Sequence, residues 1–310
     1  RSLGAGQTAL FLLLLALAGC KSQGGTGATP SPTESSLATP SAPTRGVAGP
    51  GIPPTEVYEV SGLAPGERRP LLVVLHGLGG SGHSMFEALR LAEFGARERV
   101  FVVAPDGTLD QRGRRFWNAG DACCNFEHRA VDDVARLRNL IDLWRARPDI
   151  DPKRVYVMGH SNGGFMTERM ACELGERISG AVSLAGAAPP MDLPCPRSGS
   201  LQLLAVHGDA DVIVRYEGGT VFDSPLPAAF PSATQGFKDW AKRQGCTGTP
   251  LHLPDVDVEE WLPGAETTAL QYRNCTSGSV TLWTVRSGDH SVGTDPHALA
   301  VIWGFLSAPL

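Results

Sequence analysis

The pentapeptide Gly159-His160-Ser161-Asn162-Gly163 sits where a short apolar run, Val155 to Met158, gives way to residues 165–174, a segment of helix-forming composition with apolar residues at helical spacing. A strand that passes straight into a helix must bend sharply, and the residue at the bend is held in a conformation that tolerates no bulky neighbours. Glycines on both sides of the serine, with a third at Gly164, remove those neighbours. In that setting G-x-S-x-G is a nucleophile elbow, which lifts a serine hydroxyl above the carboxyl edge of a sheet and sets it at a helix N-terminus. A glycine-rich turn without chemistry uses the same residues, so the serine needs partners elsewhere in the chain before it counts as a nucleophile.

The rest of the chain supplies the sheet that such a turn needs. Apolar runs at 70–76, 99–107, 178–186, 201–208 and 279–288 read as further strands, "AVDDVARLRNLIDLWRA" (130–146) as an amphipathic crossover helix, and about 295–306 as a closing helix. Alternating strands and helices predict an α/β fold with a mostly parallel central sheet covered by helices on both faces. With 310 residues the chain is long enough for one large domain of this kind.

A serine hydroxyl is a poor nucleophile at neutral pH and needs a base, which in turn needs an orienting group. In a sheet of this type the order along the chain is serine, then acid, then histidine, each after a later strand. The run at 201–208 ends in His207-Gly208-Asp209-Ala210-Asp211, and the last strand ends in Gly288-Asp289-His290. His290 is the candidate base because it alone follows the last strand, and Asp211 is the favoured acid, with Asp209 as its alternative. Oxyanion donors are expected from backbone N–H groups of Leu78, in the His76-Gly77-Leu78-Gly79-Gly80 loop, and of Asn162. Trp117 and His160 are candidate substrate contacts, and the segments 108–129, 212–233 and 252–270 are read as pocket-forming loops.

The N-terminus reads as a leader. "ALFLLLLALAGC" has the length of a secretory apolar region, too short for a comfortable membrane span, and Leu17-Ala18-Gly19-Cys20 resembles a lipobox whose Cys20 would carry the lipid. Residues 21–54 are rich in Gly, Ser, Thr and Pro and poor in large apolar groups, which predicts a flexible tether before a catalytic domain over 55–310. Export fits the cysteines: beyond Cys20 there are six, an even number suited to an oxidising compartment. Cys246 and Cys275 bracket one segment and are the first expected disulfide, while the connectivity of Cys123, Cys124, Cys172 and Cys195 stays open. The spacing lacks the paired elements of a zinc site, so no metal is expected. With 27 basic and 32 acidic residues and no basic run longer than "RGRR", nucleic acid is not an expected partner. The membrane is expected to matter only through the N-terminal anchor.

Taken jointly and in order, "VVLHGLGGSG", "APDGT", "WNAGDACCN" with "VDDV", "GHSNGGFM", "HGDADVIVRYEGG" and "GDHS" resemble the polyhydroxybutyrate depolymerase and feruloyl esterase-like family of α/β-hydrolases over roughly residues 56–307. The resemblance implies a cofactor-free serine ester hydrolase with its triad on Ser161, Asp211 and His290, acting on feruloyl, acetyl or short-chain polyhydroxyalkanoate esters. The chain departs from the family after the histidine, where Ser291-Val292-Gly293 stands in place of Trp-Pro-Gly. A serine peptidase would use the same triad but usually brings a propeller or cap domain, and a non-catalytic surface-binding protein would be expected to lose a triad member.

Overall fold

The computed structural model describes residues 44–46, 51–196, 200–223 and 228–308. The expected leader with Cys20 lies outside the described residues, as does most of the expected tether. Residues 44–46, within the segment read as tether, form the strand β1 (Thr44–Gly46), which pairs antiparallel with β2 (Thr55–Tyr58) at one edge of the sheet.

The remaining large strands are β3 (Arg69–Leu75), β4 (Phe101–Pro105), β7 (Ile150–His160), β8 (Gly180–Leu184), β9 (Gln202–Gly208), β10 (Leu251–Val256), β11 (Thr267–Tyr272) and β12 (Ser279–Val285). They join in one ten-stranded sheet of order β1-β2-β4-β3-β7-β8-β9-β12-β11-β10. The six central strands, β4 to β12 in that order, run parallel, and both edges are finished by antiparallel strands. This agrees with the α/β expectation, and its cause is visible in composition. All of β4 and β8, and all of β3 except Arg69, is buried, as strands covered on both faces must be.

Helices α3 (Asp133–Arg145), α4 (Asn162–Glu173) and α5 (Ala233–Arg243) pack on one face through Leu137, Met166, Met170 and Trp240. Helices α1 (Gly82–Ala88), α2 (Leu91–Glu98) and α6 (Pro296–Ser307) cover the other through Phe86, Phe94, Ile302 and Trp303. A two-stranded ribbon, β5 (Thr108–Leu109) with β6 (Arg115–Phe116), stands above the carboxyl edge and delivers Trp117 to it. Among the described residues no helix is long and apolar enough to cross a membrane.

One reading of the sequence changes, and one that was left open is completed. Residues 252–270, expected to be a loop, contain most of β10 and the start of β11. β10 is largely exposed and β11 is buried only at alternate positions, so neither carries the continuous apolar signature of the central strands. The expected Cys246–Cys275 disulfide is present, and the open connectivity closes as Cys172–Cys195 and the adjacent pair Cys123–Cys124.

Candidate active site

Ser161 stands between the last residue of β7 and the first of α4, with φ 56° and ψ −120°. This left-handed backbone is costly for a residue with a side chain, and it is held by the Ser161 N–H donating to the Leu184 carbonyl of β8 at 2.8 Å. The flanking glycines are required sterically: a Cβ on Gly159 would overlap the Gly163 carbonyl, and one on Gly163 would overlap the Leu75 and His76 carbonyls. The hydroxyl does not cap α4 and is available to a base.

The expected base, His290, lies on the loop after β12. Its Nε2 lies 2.9 Å from Ser161 Oγ and its Nδ1 lies 2.7 Å from Asp211 Oδ2. Asp211 follows β9, and its other oxygen, Oδ1, accepts the N–H groups of Ile213 at 2.8 Å and Val214 at 2.9 Å. Burial works to raise the Asp211 carboxyl, but hydrogen bonds from His207 and His290 and the backbone donors outweigh it and hold the acid ionised, well below the ordinary carboxylate range. Asp209, the alternative acid, points elsewhere and accepts the Ser287 N–H at 2.7 Å. The helix that follows the histidine loop is pinned at its start, where Asp295 accepts the N–H groups of His297 and Ala298 and Pro296 occupies the first turn.

The loop after β3 lies against the serine: a Cβ on Gly77 would stand 3.4 Å from Ser161 Cβ. Its shape is set by Gly79 donating to the Arg115 carbonyl at 2.7 Å and by His76, whose Nδ1 lies 2.7 Å from the Gly77 carbonyl while Nε2 accepts the Gly107 N–H at 2.9 Å. A carbonyl only accepts, so the His76 proton sits on Nδ1. Complete burial pushes this imidazole down to about 4, which keeps it neutral. Leu78 follows in the same loop, partly buried against Cys123, Cys124 and Phe165. Asn162 is the first residue of α4, where backbone N–H groups have no intrahelical acceptor. Its side chain is locked in a two-way exchange with Trp117, accepting the Trp117 N–H at 2.7 Å and donating to the Trp117 carbonyl at 3.0 Å.

Two expected substrate contacts have other positions. Trp117 is fully buried and donates through Nε1 to the His76 carbonyl at 3.0 Å, so it braces the glycine loop from behind and offers no face to a substrate. His160 stands beside His290, with ring centroids 5.0 Å apart, and its Nε2 donates to the backbone carbonyl of His290 at 2.6 Å. Burial pushes His160 down to about 4, so it fixes the His290 backbone as a neutral donor. Sequence reasoning also passed over Glu259, a buried carboxylate that accepts the Gly293 N–H at 2.6 Å and the Trp261 indole N–H at 2.8 Å, tying the β10–β11 connection to the histidine loop. No local pattern marks Glu259, because Gly293, the partner that ties it to the histidine loop, is 34 residues away.

One turn along α4 from the serine, Phe165 joins Asn118, Ala119, Ala187, Pro190 and Phe230 in lining a cleft of about 460 Å³.

Residues 63–238 match a family described as phospholipase/carboxylesterase, more than half of the chain. Feruloyl esterase B of Piromyces equi is 30% identical over 244 residues, 75% of this chain and 41% of that protein. Poly(3-hydroxyalkanoate) depolymerase C of Paucimonas lemoignei is 31% identical over 120 residues, 38% of this chain and 28% of that protein. The chain spans less than half the length of these relatives. Among solved structures, acetyl xylan esterase from Aspergillus awamori superposes with a TM-score of 0.61 at 14% identity, over 82% of this chain and 94% of that one, a likeness of fold.

Proposed function

The chain belongs to the phospholipase/carboxylesterase family of α/β-hydrolases, and from that premise we propose that it is a serine carboxylic ester hydrolase working through Ser161, His290 and Asp211. The observation that carries the reading is the unbroken relay of 2.9 Å and 2.7 Å from serine to imidazole to carboxylate. His290 Nε2 takes the proton as Ser161 Oγ attacks the ester carbonyl, and Asp211 holds the proton on Nδ1. The N–H groups of Leu78 and Asn162 receive the oxyanion, aided at Asn162 by the positive end of α4. His290 then protonates the leaving alcohol, and a water deprotonated by the same nitrogen releases the acid from Ser161.

Feruloyl or acetyl esters are the first substrate class, supported by the relatives and by a cleft lined largely by alanine, proline and phenylalanine. Short-chain polyhydroxyalkanoate is the second, favoured by Val212 and Phe222, 74% and 54% exposed, on the segment that follows the acid. Such an apolar rim suits a polymer surface better than a small soluble ester. Export is supported by the three disulfides, and lipid attachment at Cys20 rests on the lipobox pattern alone.

The test is a comparison of initial rates on methyl ferulate, a short-chain nitrophenyl ester and amorphous polyhydroxybutyrate, with Ser161→Ala as control. Serine-dependent turnover with a loss of about a thousandfold or more in the variant is expected; normal hydrolysis by the variant overturns the assignment. Preference for ferulate selects the first class, and clearing of the polyester selects the second.

A further inference from the structure

The acid of the relay does not stand alone. Four residues before it, at the end of β9, His207 is buried and its Nε2 lies 2.7 Å from the Val214 carbonyl. A carbonyl only accepts, so this nitrogen carries a proton. The same Nε2 is 3.5 Å from Asp211 Oδ2, the oxygen that faces His290. The N–H is therefore committed chiefly to Val214, with its positive end also turned to the carboxylate. Val214 is clamped on both sides, giving its N–H to Asp211 Oδ1 and its carbonyl to His207. Within the turn Val212 is exposed, so hydrogen bonds, rather than packing at its tip, hold it in shape.

The ring is itself fixed. The edge of Tyr216 meets it at 5.7 Å and 86°, and the Tyr216 hydroxyl is tied to Thr284 Oγ1 of β12 at 2.7 Å. His207 and Glu168 of α4 both line a small cavity of about 20 Å³. The titratable groups facing His207 are thus Asp211 on its own turn, Tyr216 beyond it and Glu168 from α4.

We propose that His207 is a positioning residue of the triad, which anchors the Asp211 turn through Val214 and sets how the carboxylate is presented to His290. This rests on the reading of Ser161, His290 and Asp211 as catalytic. A donor beside a carboxylate draws charge from it. Without that donor, Asp211 turns more charge on His290, favours the imidazolium, and moves the acid limb of the rate profile to higher pH. A looser turn also lowers kcat while leaving substrate binding almost unchanged.

His207→Gln and His207→Asn separate this role from packing, because only the longer amide reaches the Val214 carbonyl. The pH profile of kcat/KM on 4-nitrophenyl acetate is measured for both, with the folded fraction followed by circular dichroism. The Asn variant is expected to lose up to about tenfold in kcat, the upper end for one neutral hydrogen bond, with its acid limb raised by about half a pH unit. The Gln variant is expected to keep the wild-type limb and most of kcat. Equal losses in the two variants that only follow the folded fraction, with no movement of the limb, overturn the proposal. So does a wild-type profile in the Asn variant. Failure of the triad reading is recognised separately, by Ser161→Ala retaining activity.

Discussion

Asp211 and Glu168 are carboxylic acids that both neighbour His207, 4% and 3% exposed, and they are driven in opposite directions. Burial raises both. Asp211 answers it with two backbone N–H groups and two imidazoles, and stays ionised. Glu168 has the Trp240 indole N–H at 2.8 Å as its principal donor, and burial keeps its carboxyl above the ordinary range. Both side chains are almost closed to solvent, but Glu168 is the more deeply enclosed and has fewer donors, and the two causes together drive the carboxyls apart. Those donors are numerous at Asp211 because the chain turns there and presents successive N–H groups. Glu168 lies within α4, where the helix uses its own backbone groups.

The comparison breaks first at Asp211. Asp211→Asn keeps the size of the side chain but loses the charge and lets the wrong His290 tautomer form, so kcat is expected to fall by about three to four orders of magnitude. Glu168→Gln should leave kcat within about twofold of wild type, since Glu168 touches no member of the relay. A large kcat loss in Glu168→Gln, measured as initial rates beside Asp211→Asn, would abolish the distinction.

Acid stability sharpens it. His76 is neutral in the fold down to about 4, whereas an unfolded imidazole protonates near its ordinary value of 6.5. A lowered folded value gives stability that is complete above pH 6.5 and is lost as pH falls toward 4, by about 3 kcal/mol for this residue. His160 adds a loss of the same sign over the same window. Asp211, also lowered, extends the loss below the ordinary aspartate value of 3.8. Glu168 acts in reverse, because a raised carboxyl contributes most at low pH and loses its contribution as pH rises past 4.5. Urea unfolding at pH 7, 5.5 and 4 should show a falling midpoint for the wild type. In His76→Gln the fall should be shallower, whatever that variant's absolute stability.

Removing the indole donor gives a smaller effect. Trp240→Phe leaves Glu168 buried without that partner and should destabilise by about 2 kcal/mol, read as a lower urea midpoint at pH 7 with unchanged KM. The smallest change belongs to Glu168→Gln itself. Its amide oxygen still accepts the indole N–H and no charge is buried, so stability at pH 7 should match or exceed wild type by about 1 kcal/mol, with the advantage shrinking toward pH 4.

Much of this molecule was legible before folding, because the informative features are local. A glycine-flanked serine between an apolar run and a helix announces its own backbone geometry, and fully buried parallel strands must be apolar throughout, so the elbow and the central sheet stand in the sequence. The order of serine, acid and histidine follows from strands that deliver their loops to one edge. Other features depend on which distant atoms meet. The sequence favoured Asp211 and kept Asp209 as its alternative, and the turn that aims Asp211 at His290 and Asp209 at the Ser287 N–H separates the two. The burial of Trp117 came from its bonds to Asn162 and His76, 45 and 41 residues away. The Cys172–Cys195 pairing, the half-exposed edge strands and the hold of His207 on Val214 are decided the same way. Apolar periodicity and glycine sterics act within a few residues and can be read along the chain, whereas hydrogen-bond partners and burial are properties of neighbours that only tertiary structure supplies.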